Sequence, residues 1–174
     1  MTHGLMNMER NEKMAYEEAF SYLQSKGYGD RVQTFDVSSA TVELAALAVG
    51  TEPARIAKSL TFMVEEQPVM IIAAGDAKVN NSKYKAVFHK KAKMLTAEEV
   101  HSLIGHDVGG VCPFGIKDGV DVYLDESLKR FEKVYPACGS ANSAVELTPE
   151  ELEQLAGSKA WIDVCKIPEE TVRD

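Results

Sequence analysis

Two rhythms of apolar and polar positions run through the first half of this chain. Ala15, Ala19, Phe20 and Leu23 recur near helical spacing, with Gly27 as a stop, and predict a helix over 9–26. The segment "RVQTFDV" alternates instead, and reads as a short strand over 31–37. "SSATVELAALAVG" returns to helix over 38–50, opened by Ser38 or Ser39 and closed by Gly50. Thr51 can cap a second short helix over 51–59, with Pro53 tolerated in its first turn and Lys58 near its end.

After Lys58 the pattern turns to β. "LTFMV" and "VMIIAA" flank "EEQP", and their near-continuous apolar character implies a hairpin buried on both faces. A lysine-rich helix follows within 78–93. Two capping boxes then mark helix starts, Thr96 with Glu99 and Thr148 with Glu151, the second strengthened by Pro149 at the first helical position. "VDVYLD", "FEKVYPAC", "SAVEL" and "AWIDVCK" read as further strands. Helices and strands mix without regular βαβ alternation and without internal repeats. The expected fold is therefore α+β: a single domain with a central mixed, barrel-like sheet flanked by helices, and residues 1–30 as a helical segment packed on residues 31–174.

Composition narrows the class. No apolar run approaches the roughly 20 residues of a membrane span, the longest being "PVMIIAAG". The first fourteen residues lack the apolar core of a secretory signal, so export is not expected. Cys112, Cys138 and Cys165 form no C-x-x-C pair, which argues against a zinc site or a disulfide framework and fits a reducing cytosol. A cytoplasmic protein needing no metal and no cofactor is the expectation. The net charge of −8 looks wrong for a nucleic-acid binder. Yet Lys78, Lys83, Lys85, Lys90, Lys91 and Lys93 sit together with no acid among them. That run is either a solvated helix face or a local phosphate-binding patch on an acidic body. Tyr84 and Phe88, four residues apart within it, are expected to face the core.

Four places carry candidate chemistry. Cys112 stands in "VGGVCPFG", with His101 and His106 as the nearest possible bases, but small residues are favoured in a tight turn for steric reasons. The glycines of the same loop, Gly109, Gly110 and Gly115, let successive N–H groups converge on one point, a nest for a developing oxyanion or an ordinary bend. Lys58 leads into a buried strand, where it either snorkels or presents its ammonium to an anion or carbonyl. The loop Gly139-Ser140-Ala141-Asn142-Ser143 offers hydroxyls and an amide for capping or for a ligand.

In order along the chain, Lys58 in "PARIAKSLTF", Asp76 and Lys78 in "AAGDAKVN", the "VGGVCPFG" loop and "GSANSAVELTPEEL" resemble the YbaK/prolyl-tRNA synthetase-associated editing-domain family, over roughly residues 32–156. The resemblance implies a metal-independent aminoacyl-tRNA deacylase. Its substrate would be the ester of a mischarged tRNA, with tRNA-Pro carrying a small wrong residue such as Cys or Ala as the first expectation. Lys58 would be the residue most needed for activity. Gly110, Val111 and Cys112 would supply backbone contacts near the scissile carbonyl, with Pro113, Asp76, Gly139, Ser140 and Asn142 shaping the substrate site. Lys78, Lys83, Lys85, Lys90 and Lys91 would meet the tRNA acceptor end. Catalysis would be assisted by the substrate's own ribose hydroxyl or thiol, consistent with a chain that shows no Ser-His-Asp set. The Gly-Ser-Ala-Asn-Ser loop departs from other branches, so the amino acid removed does not carry over. Lacking synthetase domains, the protein would act in trans, with prolyl-tRNA synthetase as a further implied partner and no membrane. Two other readings stand beside this one: a non-catalytic tRNA- or synthetase-binding module, and a thiol hydrolase dependent on Cys112.

Overall fold

A computed structural model describes residues 2–168. Its centre is a hairpin, β2 (Ile56–Val64) with β3 (Gln67–Ala74), joined antiparallel through eight residue pairs from Ala57↔Ala74 to Val64↔Gln67. β3 is buried from Val69 to Ala74, as a strand covered on both faces must be. β5 (Asp121–Asp125) pairs parallel with β3, and β8 (Trp161–Ile162) parallel with β5. On the other flank β6 (Tyr135–Pro136) pairs parallel with β2 over Ile56 and Ala57. The order β6-β2-β3-β5-β8 makes the mixed sheet expected of the sequence. Two short ladders prolong it: β1 (Val32–Thr34) with β7 (Ser143–Val145), and β4 (Lys78–Val79) with β9 (Cys165–Lys166). The bridge Val134↔Leu147 ties the first of these to the sheet.

Helices close around this frame. α1 (Thr2–Ser25) lays Ala19 and Leu23 into the main core and buries Ala15 as well. α2 (Val42–Val49) is capped by Thr41, whose hydroxyl accepts the Leu44 N–H, and ends at Gly50 in the left-handed conformation. The cap therefore falls two or three residues later than Ser38 or Ser39. α3 (Asn81–Phe88) covers only the middle of the lysine-rich run, between an Asn80 cap and a left-handed His89. Its Tyr84 is fully buried, with ring centroids 5.1 Å from Phe62 and 4.8 Å from Phe88, so the aromatic pair does face the core. Both capping boxes form, at α4 (Ala97–Glu99), which runs on as a π-helical turn over Val100–Ile104, and at α5 (Pro149–Ala156).

One expected element is absent. The helix predicted over 51–59 shrinks to a single 3₁₀ turn, Pro53–Arg55, and Lys58 lies inside β2. Local propensity favoured a helix, but every residue from Ala57 onward finds a ladder partner on β3, and tertiary pairing wins. The strands expected over 131–138 and 160–166 are likewise reduced to two-residue pairings.

Two loops are locked by main chain lying on main chain. A Cβ on Gly110 would sit 2.7–2.8 Å from the Ser140 backbone, and one on Gly139 would sit 2.5 Å from the Ala15 carbonyl oxygen. Loop 109–115 thus rests on loop 139–142, which rests on α1. Gly139 has φ +80° as well, so a side chain there meets both strain and collision. Gly157 at φ +61° has the strain but open space around it. Gly139→Ala is expected to destabilise the fold by about 3 kcal/mol and Gly157→Ala by about 1 kcal/mol. Urea unfolding of the two variants checks this, and equal losses would refute the stacking.

Candidate functional site

β2 has a full partner on one side and a broken one on the other. Away from β3, its described pairings are Ile56 and Ala57 with β6 and the bridge Phe62↔Met94. Between them the strand edge opens into a cleft of about 230 Å³. Lys58, Ser59 and Thr61 line it from β2, Val42 and Ala45 from α2, Met94 and Leu95 from the bridging segment, and Gly109 and Val111 from the glycine loop. Its walls are small: Ala57, Ala137, Ala144 and Ala40 all contribute. Val108, Met94, Leu44 and Leu47 are exposed apolar side chains, the first two at the cleft itself and the others on α2.

Lys58 is half-buried, and its Nζ donates to the carbonyl oxygens of Gly75, at 3.3 Å, and Ala77. Burial pushes its ammonium below the ordinary lysine value. Cys165, Asp76 and Glu43 oppose that push, and Lys78 adds to it. The grip is thus made of backbone dipoles, which stabilise the cation without cancelling its charge. The turn that supplies them cannot carry a side chain at Gly75, where a Cβ would lie 2.0 Å from the Pro53 carbonyl oxygen. Asp76, between the two carbonyls, is held by Arg130 in a two-pronged pair at 2.6 and 3.1 Å.

In the glycine loop the donors divide. The Gly110 N–H bonds the Asp107 carbonyl at 3.0 Å, and the Cys112 N–H bonds His106 Nδ1 at 3.3 Å. Both are spent inside the loop. Gly109 and Val111 face the cleft, and their N–H groups have no acceptor among the described residues. Pro113 is buried beside them and does not line the cleft. The Cys112 thiol is wholly buried, with its sulfur 3.8 Å from His106 Nδ1, and burial pushes it well above the ordinary thiol value. A thiol hydrolase built on Cys112 has no accessible sulfur to work with.

The remaining expected residues scatter. Ser140 and Asn142 line a different depression, against Glu12, Lys13 and Tyr16 of α1, and their side chains bond each other at 2.9 Å. Gly139 packs under α1. From that loop and the strand it leads into, Ser143 and Ala144 reach the Lys58 cleft instead. Lys83 pairs with Asp163 at 2.9 Å and Lys90 with Glu65 at 3.4 Å. Lys78, Lys85, Lys91 and Lys93 are exposed and have no carboxylate partner among the described residues. Sequence reasoning names Gly109 in the glycine nest but not among the residues expected at the scissile carbonyl, and it does not single out Arg130. No group of three or more His, Cys, Asp or Glu suited to a metal occurs among the described residues, and none of their helices is long and apolar enough to cross a membrane.

Comparison with known proteins finds relatives over most of the chain. A model of the aminoacyl-tRNA editing domain matches residues 36–155. An uncharacterized protein, YwhH of Bacillus subtilis, is 57% identical over 136 residues, which is 78% of this chain and 87% of that protein. The proline–tRNA ligase of Bacillus cytotoxicus is 32% identical over 100 residues, 57% of this chain but 17% of the ligase. The chain thus spans less than a fifth of that much longer relative. A crystal structure described as a candidate trans-editing enzyme for prolyl tRNA synthetase superposes with a TM-score of 0.79 at 30% identity, covering 87% of this chain and 97% of that one.

The base of the glycine loop carries a measurable titration. His106 is 1% exposed and accepts the Cys112 N–H on Nδ1, so its proton sits on Nε2, which has no partner among the described residues. Burial pushes the imidazole down to about 4. The folded state then keeps it neutral while the unfolded chain takes up a proton below about pH 6.5. Its contribution is complete above that pH and is lost as the pH falls toward 4, about 3 kcal/mol in all. Wild type and His106→Asn, whose Oδ1 can take the same N–H, should be unfolded in urea across this range. The wild-type advantage is expected to shrink by about 3 kcal/mol between pH 6.5 and 4. A constant difference would contradict a buried neutral imidazole.

Proposed function

The chain belongs to the aminoacyl-tRNA editing-domain family, and on that premise we propose that it is a free-standing aminoacyl-tRNA hydrolase acting in trans. Its substrate is the ester between a small, wrongly attached amino acid and the 3′ end of a tRNA, with tRNA-Pro the species to which the synthetase relatives point. One observation carries this reading. Lys58, whose ammonium is held only by backbone carbonyls, and Gly109 and Val111, whose N–H groups have no acceptor among the described residues, line the same alanine-walled cleft.

An aminoacyl ester is already activated, so the site mainly has to orient it and stabilise the charge that develops on the carbonyl oxygen. Lys58 and the two free N–H groups are the donors for that oxygen. Water adds to the carbonyl carbon, the bond to the ribose oxygen breaks, and the water's proton passes to that oxygen, releasing amino acid and tRNA. The described cleft lining contains no carboxylate, imidazole or thiol to act as base. That favours proton transfer through the neighbouring ribose hydroxyl of the substrate. Small walls suit small side chains, and since one methylene is worth only about 1–3 kcal/mol, such a second sieve removes what a synthetase pocket admits.

Lys78, Lys85, Lys91 and Lys93 are the cations available to acceptor-stem phosphates, while Lys83 and Lys90 already have carboxylate partners. The exposed Met94 and Val108 give the cleft mouth an apolar rim suited to the unpaired terminal bases. The protein would work in the cytoplasm, downstream of prolyl-tRNA synthetase.

The deciding assay charges tRNA-Pro with Ala, Cys or Ser and follows release. Lys58→Ala is expected to slow release by about 100-fold or more, and an unchanged rate would sink this mechanism. Gly110→Ala, which drives a methyl into the Ser140 backbone, should cost more activity than Cys112→Ala, which trims a side chain outside the cleft. Removing Lys85 and Lys91 together should lower the salt slope of tRNA binding by about 2. Binding with no release across the whole panel would instead identify a non-catalytic tRNA-binding module.

A further inference from the structure

β4 and β9 meet in a ladder of two residue pairs, Lys78↔Lys166 and Val79↔Cys165. The pairing runs one residue further through the Asn80 N–H, which donates to the Val164 carbonyl at 2.8 Å. Directly opposed residues of an antiparallel pair project from the same face, with Cβ atoms about 5 Å apart. Cys165 is buried on one face of this ladder, and both lysines are exposed on the other. Two like charges therefore stand opposite each other, an arrangement that costs stability unless an anion lies between them.

Neither lysine has a carboxylate partner among the described residues. The acids around the adjoining depression, which Lys166 lines, are engaged elsewhere. Asp163 pairs with Lys83 at 2.9 Å and Glu126 with Lys129 at 3.2 Å. Asp125 is buried and accepts the N–H groups of Ser127 and Val164, both at 2.9 Å. Asp76 is held by Arg130. Position ties the lysine pair to the cleft. Lys78 directly follows Ala77, whose carbonyl holds the ammonium of the cleft residue Lys58, and its charge adds to the downward push on Lys58. Lys166 lies beyond residues 36–155, the part that the editing-domain family covers, so the pair is a feature of this chain.

We propose that Lys78 and Lys166 form a clamp for a single phosphate group, a phosphodiester of the RNA strand whose 3′ end enters the cleft. The clamp rests on the editing reading for the identity of that RNA, and on the ladder for its geometry. An ammonium is a compact point charge, so two of them converging on one phosphate read a backbone by charge and not by sequence. The bound phosphate supplies the anion that the ladder lacks, and the like-charge contact of the free protein becomes an attraction in the complex.

Two measurements test the clamp, one without RNA and one with it. Lys166→Gln removes the like-charge contact, while Lys91→Gln removes the same charge from a lysine outside the ladder. Relative to Lys91→Gln, Lys166→Gln is expected to raise Tm by about 1 °C at low salt. The gain should disappear at about 0.5 M salt. No gain at low salt would mean that the two charges do not oppose each other, and would overturn the clamp. Binding of a tRNA-Pro acceptor minihelix is then followed against salt. Because one phosphate is shared, Lys78→Gln and Lys166→Gln should each weaken binding about threefold and leave the salt slope nearly unchanged. The double variant should weaken it about tenfold and lower the slope by about 1. A slope lowered by about 1 in each single variant and about 2 in the double would put the lysines on separate phosphates. That result, or unchanged binding, overturns the clamp. Inorganic phosphate at matched ionic strength should displace the minihelix only weakly. Tight binding of inorganic phosphate at Lys78 and Lys166, read from their NMR signals, would overturn the assignment to RNA. Wild-type protein that binds the minihelix but releases no amino acid from mischarged tRNA overturns the editing reading and leaves the clamp standing.

Discussion

A lysine at the rim of an apolar core has to be satisfied without being neutralised, and that requirement organises this molecule. Lys58 occupies a strand whose other neighbours are largely buried, so its ammonium needs acceptors. Two carbonyls from the next strand connection provide them. For those carbonyls to arrive, β3 must run its full ladder against β2 and then turn sharply at Gly75, pressed on Pro53. Carboxylates would have been stronger partners, but they would have consumed the charge. The broken pairing on the free edge of β2 completes the arrangement by leaving room beside the lysine.

The opposite wall is built differently, from polypeptide backbone stacked in layers. Loop 109–115 touches loop 139–142, and that loop touches α1, each time through a glycine that no side chain can replace without displacing main chain. Glu12 fastens the stack by accepting the Ala141 N–H at 2.8 Å, and Asn142 reaches across to the Phe35 carbonyl at 3.2 Å. The result holds Gly109 and Val111 at the cleft on a rigid base.

What could be read along the chain, and what could not, divides by range. Thr96 with Glu99 and Thr148 with Glu151 are three residues apart, and both capping boxes formed as their chemistry dictates. The hairpin around "EEQP" and the burial of Tyr84 were equally local. Lys58 was singled out, but was expected at a helix end, because the ladder that makes it a strand residue comes from positions further along the chain. The division of labour in the glycine loop was hidden for a related reason. Which N–H is spent depends on His106 and Asp107 folding back onto Cys112 and Gly110, and glycine content alone does not reveal that. Ser140 and Asn142, expected to shape the substrate site, line a separate depression with residues of a helix more than a hundred positions earlier. Arg130 left no trace in any motif, since its partner lies 54 residues away.

Ala57 sits on β2, Ala144 on β7 and Ala137 just past β6, so three separate strands each bring a single methyl to the same space. The Lys58 ammonium is held by the carbonyls of Gly75 and Ala77, not by any of the three. Size selection and charge placement are therefore carried by different residues on a common frame. A lineage could exchange one methyl for a larger or polar group, and so change what the cleft admits, while the lysine and the carbonyls that hold it are inherited intact.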